Sequence, residues 1–246
     1  MVGETAKSEA LCLAIHPWSR TSHVVSWLTP AGIVKTVVKG AVRPKSLFLG
    51  QYDLNYGCEI VYYQRERGNL HALRECVPRK MREPLRGSFR ALALAGYVRS
   101  LSLELASDGS ECAAWYALVD GVLDELERSP SPAALLGHMV DFELEVMRLA
   151  GVMPDFSGYD PEAEWSAFSV SAGSFGEEGG RRLRIRTQTA RWLCSPGCDG
   201  ADMQILLDAS RVIGVFYQFH LDCAVESRRE VLKLILHNDN EKAEIR

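Results

Sequence analysis

Residues 11–46 read LCLAIHPWSRTSHVVSWLTPAGIVKTVVKGAVRPKS, and the fold of the N-terminal third follows from this stretch. Three short apolar and β-branched runs, Leu11–Ile15, Val24–Leu28 and Ile33–Lys39, alternate with polar and turn-forming residues, the pattern of strands rather than helices. Thr29, Pro30, Ala31 and Gly32 supply a hairpin turn, because glycine tolerates positive φ. Further along the chain Cys58–Gln64 and Leu70–Cys76 add two more runs, and Gly68-Asn69 turns the chain between them. The gap from Gly40 to Gly57 reads as a loop or irregular crossover. Five strands in so small a sheet need strong twist and closure to protect their edges, so the expected form is a compact five-stranded barrel of the OB type.

After Pro78 the period changes from two to nearly four. Leu94, Val98, Leu101 and Leu105 recur at helical spacing, as do Trp115, Leu118, Val122 and Leu126, and then Leu135, Met139, Phe142, Val146 and Leu149. Ser131 and Pro132 suit the N-cap and first position of the third helix, and Gly151 suits its end. From Pro154 to Gly200 the chain is glycine-rich, acidic in front and then basic at Arg181, Arg182, Arg184, Arg186 and Arg191, which reads as a loop-rich segment with one hairpin. Helical spacing returns through Leu206, Ile213, Tyr217, Leu221 and Ala224, and Ser227 with Glu230 has the form of a capping box ahead of Val231–Leu236. Asn238–Arg246 reads as a frayed tail. The expected class is therefore α+β. Its parts are a barrel over 1–80, a helical domain over 81–153, an irregular insertion over 154–200 and the rest of the helical domain over 201–246.

The 246 residues are 47% hydrophobic and 24% charged, with a net charge of −4, an ordinary globular composition. Seven cysteines, most of them single among apolar neighbours, exclude a disulfide-stapled scaffold. No apolar run approaches the roughly 18 residues of a membrane helix, and residues 1–10 lack the signal-peptide pattern, which sets the expectation of a cytoplasmic protein without membrane contact.

The mean charge hides an asymmetry. Residues 1–80 hold 11 Lys and Arg against 6 Asp and Glu, and the remainder hold 17 against 26. No acid occurs between Glu9 and Asp53, yet that stretch carries Arg20, Lys35, Lys39, Arg43 and Lys45. Surfaces kept soluble by charge usually mix signs, so a one-sign segment points to a polyanionic partner. Strand alternation puts Lys35 and Lys39 on one face and Val34, Thr36 and Val38 on the other. The two lysines stand about 13 Å apart at ~3.3 Å per residue, a span suited to a nucleic-acid backbone. Tyr52, Tyr56, Tyr62 and Tyr63 are candidates for stacking on unpaired bases, though some must fill the barrel.

These residues resemble a family. The run 11–46, with its Ser-Arg-Thr-Ser segment, its Thr-Pro-x-Gly turn and its strand closing on Lys39-Gly40 before a basic loop, is similar to the N-terminal barrel of the bacterial RecO recombination mediators. LGQYDLNYGCEIVYYQ (49–64), LHALRECVP (70–78), DFELEVMRLAGVMPDF (141–156) and the stretch from Tyr217 through His220-Leu221 to Ser227-Arg228-Arg229 continue the similarity. The resemblance implies an OB-fold barrel, a helical domain and a non-catalytic role in recombinational repair. It implies binding of single- and double-stranded DNA, annealing of complementary strands, and action with RecR to help RecA replace single-stranded DNA-binding protein. It carries DNA contact over to Arg20, Lys35, Lys39, Arg43 and Lys45.

Two departures stand out. Many members hold zinc with two Cys-x-x-Cys pairs, but Tyr159 and Glu162 occupy the places of the first pair and FSVSAGSFGEEGG (168–180) lacks the second. Before Phe142, where certain relatives carry an arginine used on the acidic tail of single-stranded DNA-binding protein, Val140 and Asp141 stand here, with Arg148 or Arg99 as substitutes.

A zinc ion on Cys194, Cys198, His220 and Cys223 is conceivable, but the spacing matches no common module, and no cofactor is expected. Gly-x-Ser-x-Gly, Walker, His-Glu-x-x-His and deaminase motifs are absent, and the Asp120, Asp124 and Glu127 face reads as solvated surface, so no enzyme is expected. The arginine cluster at 181–191 either extends a DNA surface or offsets acids such as Glu177 and Glu178, and the second reading is taken. Two alternatives to DNA mediation stay open, a protein-interaction adaptor and an RNA-binding OB module.

Overall fold

The computed structural model describes residues 4–65, 68–106, 111–128, 131–176, 181–196, 201–221 and 225–237. β1 (Thr5–Ser19), β2 (Ser22–Thr29), β3 (Gly32–Val38), β4 (Gly57–Tyr63) and β5 (Leu70–Lys80) close a barrel in the order β1-β2-β3-β5-β4. Only the β3–β5 seam is parallel. Order and closure are those of the OB fold expected from the strand pattern.

β1 is much longer than the expected Leu11–Ile15. Thr5–Leu11 pairs with β4 and Leu11–Ser19 pairs with β2, with a register shift at Cys12/Ala14 where the strand bends between the two partners. Its first half carries exposed polar residues alternating with Ala6, so it lacks the apolar run that marks the second half. The run itself is buried on both faces. Ala10 and Cys12 join the barrel interior, while Leu11 and Leu13 are fully buried outside that cluster. β5 likewise passes Pro78 and ends at Lys80. The Thr29–Gly32 turn forms as expected, with Thr29 Oγ1 donating to Gly32 O at 2.9 Å.

By internal contacts the chain forms two units, residues 1–87 with 98–128, and residues 88–97 with 129–246. α1 (Phe89–Leu105) contributes to both, and α2 (Cys112–Leu126) belongs to the first. α2 buries Cys112, Trp115, Val119, Leu123 and Leu126, a face turned by one residue from the expected Leu118 and Val122. The Asp120 and Asp124 face, read as solvated, instead closes on the barrel. Buried Arg82 pairs with both carboxylates and donates to Asn55 O at 2.8 Å, and Lys80 Nζ reaches Asp120 and Asp124 at 2.7 and 2.6 Å.

In the second unit α3 (Pro132–Leu149) begins on the expected cap, Ser131 Oγ accepting from Ala134 N, and ends before Gly151 at φ 71°. Segment 154–200 is more regular than its glycine content suggests. β6 (Trp165–Ser169) and β7 (Ser174–Phe175) form the expected hairpin, but β8 (Arg182–Arg186) pairs with β6 and leads into α4 (Thr187–Cys194). Phe168, fully buried, stacks on Phe156 and meets Phe175 edge-on, each at 5.4 Å.

α5 (Met203–His220) and α6 (Val225–Leu236) complete the unit. α6 starts two residues ahead of Ser227, so Ser227 and Glu230 lie inside it, and Glu230 takes Lys233 at 2.8 Å instead of capping. Glu143 of α3, fully buried, receives Tyr97 Oη at 2.6 Å and both Arg228 Nε and Nη2, at 2.7 and 2.8 Å. Gly214 leaves room for that guanidinium, since a Cβ there would meet Arg228 Nη1 at 2.5 Å. Among the described residues no helix is long and apolar enough to cross a membrane.

Candidate nucleic-acid interface

Alternation along β3 puts Val34, Thr36 and Val38 on one side and Lys35 and Lys39 on the other, with Val37 buried between the two lysines. Thr36 and Val38 are fully buried, with Thr36 Oγ1 accepting from Trp27 Nε1 at 2.9 Å, and Val34 packs on the barrel core. Lys35, paired across the sheet with Ser26 and Leu70, is exposed, and so is Lys39, which stands one residue past the strand. The following loop is tied to the β1–β2 turn, because Gly40 N donates to Ser22 Oγ at 3.3 Å and Val42 N to Thr21 O at 3.4 Å. Arg20 sits in that turn. Gly40 takes φ 67°, and the Arg43 side chain folds over it, its Cδ 3.2 Å from where a Cβ would stand. The positive φ is what calls for glycine here, since the exposed Arg43 side chain can give way to a Cβ. The result is a cleft of about 460 Å³ lined by Trp18, Ser19, Thr21, Val37, Lys39 and Arg43. Lys45 is exposed further along the loop, and Lys35 lies along β3 away from the cleft.

The charge pattern is selective. Among the described residues, Arg20, Lys35, Lys39, Arg43 and Lys45 are all exposed, and none makes an ion pair. Most other basic residues of the same unit are occupied, while Arg65, just past the end of β4, is exposed and without an ion pair among the described residues. Lys7 and Arg79 share Glu59 at 3.0 and 3.3 Å, Arg74 meets Glu75 at 3.3 Å, Arg86 meets Asp53 at 2.7 Å, and Lys80 and Arg82 hold the α2 carboxylates. The hydrogen bond from Lys7 keeps the Glu59 carboxyl below its usual range, so it stays ionised and holds both partners. Among the described residues these five cations therefore have no carboxylate to release before meeting another anion.

The aromatic residues divide differently from the expectation. Tyr56 and Tyr62 are buried, and Tyr52 packs against Trp27 and lies 2.8 Å from His23 Nδ1 through its hydroxyl, which burial holds protonated. Of the four, only Tyr63 is exposed, at the far end of β4 with Arg74 5.7 Å from its ring. The ring at the cleft is Trp18, 62% exposed, which the strand reading passed over. Its signal lay in its flanks: a tryptophan between Pro17 and Ser19-Arg20, beyond the apolar run, has no core to enter.

A family model for the C-terminal part of recombination protein O matches residues 86–229. That is more than half of the chain. The chain belongs to the recombination protein O family. The match covers the helical part, and the closed barrel ahead of it is the OB fold that the resemblance implies. Membership places the chain in DNA recombination and repair. No curated protein matches it significantly.

The zinc of many family members does not fit the residues here. The ring of Tyr159 packs edge-on against Phe175 at 6.2 Å, and Glu162 is exposed. The Cys194 thiol donates to Phe156 O at 2.9 Å and His220 Nε2 lies 2.9 Å from Val170 O, while Cys198 and Cys223 lie outside the described residues. Among the described residues no three His, Cys, Asp or Glu side chains gather to hold a metal. Arg99 is committed within the first unit, its Nη1 donating to Leu13 O at 2.8 Å, and Arg148 pairs with Glu145 on the surface of α3.

Proposed function

We propose that this chain is a non-catalytic DNA-binding mediator, with residues 1–80 as its nucleic-acid-binding domain. Arg20, Lys35, Lys39, Arg43 and Lys45 hold phosphates and Trp18 stacks on an unpaired base. Neutralising phosphates on single strands lowers the repulsion between complementary strands, so binding of this kind promotes annealing without hydrolysis. In the family's setting it works with RecR and single-stranded DNA-binding protein to load RecA. The observation that carries the reading is the set of five exposed cations with no carboxylate in ion-pair reach among the described residues, beside paired neighbours in the same barrel. Fluorescence anisotropy of labelled single-stranded DNA tests it, with a Lys35→Glu/Lys39→Glu variant alongside. Salt-sensitive binding lost in the variant is expected. A folded variant that binds like the parent would overturn it, and preference for a matched RNA would favour an RNA-binding module.

A further inference from the structure

The small sheet of the second unit has one packed face and one that carries the arginines of β8 and is exposed at Ala167 and Arg184, with Ser169 buried at its end. On β8, Leu183 and Ile185 are buried, and Arg182, Arg184 and Arg186 project to the other side, as a two-residue period dictates. Antiparallel pairing sets Arg182 opposite Ser169, Arg184 opposite Ala167 and Arg186 opposite Trp165. The three arginines therefore follow one another at steps of about 7 Å, the order of one phosphodiester repeat, and none of the residues facing them across the sheet is acidic.

Trp165 organises two of them. The guanidinium carbons of Arg184 and Arg186 lie 5.2 and 5.0 Å from the centroid of its ring. The electron-rich ring attracts both cations and fixes their side chains on the sheet face, where they can meet an anion. Arg211 of α5 braces the strand, its Nη2 donating to Arg184 O at 2.9 Å, and Arg191 is exposed on α4. Asp208 approaches Arg186 Nε at 3.6 Å, a longer reach than the direct ion pairs elsewhere. The acids invoked from sequence to balance this cluster, Glu177 and Glu178, lie outside the described residues.

We infer that the open face of β6 and β8 is a second phosphate-backbone site that takes one single DNA strand, with Trp165 as the positioning residue for Arg184 and Arg186. The inference rests on the annealing function proposed above: a chain that holds two strands at once brings them together, and this face supplies the second holder.

Full-length protein titrated with a short oligothymidylate, at concentrations well above the dissociation constant, reads the stoichiometry. Two strands per chain are expected for the parent, one for Arg182→Glu/Arg184→Glu and one for Lys39→Glu/Arg43→Glu, with loss of annealing in both variants. A parent that binds one strand, or an arginine variant that still binds two, overturns the inference. A lysine–arginine variant that still binds two overturns the barrel reading instead. Photocrosslinking of the unsubstituted protein to an oligomer containing 4-thiothymidine guards against misfolded variants. Crosslinks within residues 165–186 as well as 18–45 are expected, and their confinement to the barrel overturns the second site. Displacement of DNA from 165–186 by matched RNA alone would assign the face to RNA and overturn it too.

Discussion

Replacing Lys39 and Arg43 together by glutamine removes two cations from the cleft without introducing a negative charge. For single-stranded nucleic acid the slope of log affinity against log salt is about −0.7 per phosphate contacted, so losing two contacts should make the slope shallower by about 1.4. Between about 50 and 200 mM salt, a fourfold change, the variant should then lose roughly sevenfold less affinity than the parent. Both side chains are exposed and outside any ion pair among the described residues, so stability should stay within about 0.5 kcal/mol. The structure also supplies the control. Lys7 and Arg79 belong to the same barrel but share Glu59, so Lys7→Gln/Arg79→Gln removes the same formal charge without removing an available contact. Anisotropy titrations at graded salt, with thermal melts on each protein, read both quantities. An unchanged slope in the cleft variant, or an equal flattening in the control, would refute the distinction between free and occupied cations.

Trp18→Ala should weaken binding of unpaired strands by about 1–3 kcal/mol and leave duplex binding nearly unchanged, because paired bases offer no free face, and competition between the two forms checks it. Glu143→Ala strands the Arg228 guanidinium in the core and should cost about 3–5 kcal/mol in urea unfolding, while Glu143→Leu/Arg228→Met should recover most of that. A single-variant loss under about 1 kcal/mol would contradict the buried network. Burial works to raise the Asp124 carboxyl, but hydrogen bonds from Lys80 and Arg82 outweigh it and hold the group below its ordinary 3.8. A depressed folded-state value means that the pairing stabilises above that point and is lost as pH falls through the folded value. Asp124→Asn should therefore flatten the acid limb of the stability profile, as read by melts across that range.

The sequence was most legible where one face of an element is apolar and the other is not. β2, β3 and β4 were placed to within two residues because Val24–Leu28, Ile33–Lys39 and Cys58–Gln64 are bounded by turn residues, and the cap at Ser131-Pro132 formed as read. The first half of β1 was hidden because its pairing with β4 is made by the backbone under polar side chains. α4 was hidden because Thr187, Thr189 and Ala190 are buried residues of a type that hydropathy does not flag. The cationic set was visible as a composition, the absence of acids, but its selection needed distances. Lys80 and Arg82 look equally available in the sequence and are bound to Asp120 and Asp124, some forty residues away. Trp18 was missed for the converse reason, since hydrophobicity alone assigns a tryptophan to a core.

The closing seams of the barrel join residues far apart along the chain. Thr5 lies beside Tyr63 and Lys35 beside Leu70, so a growing polypeptide cannot complete the barrel until β5 has left the ribosome. For that interval the β1–β2–β3 meander has β3 as an open edge, able to pair with a neighbouring nascent chain. Lys35 sits on that edge, and a charged side chain is what discourages such pairing. The lysine assigned here to a phosphate in the finished protein would thus also protect the half-made one during translation.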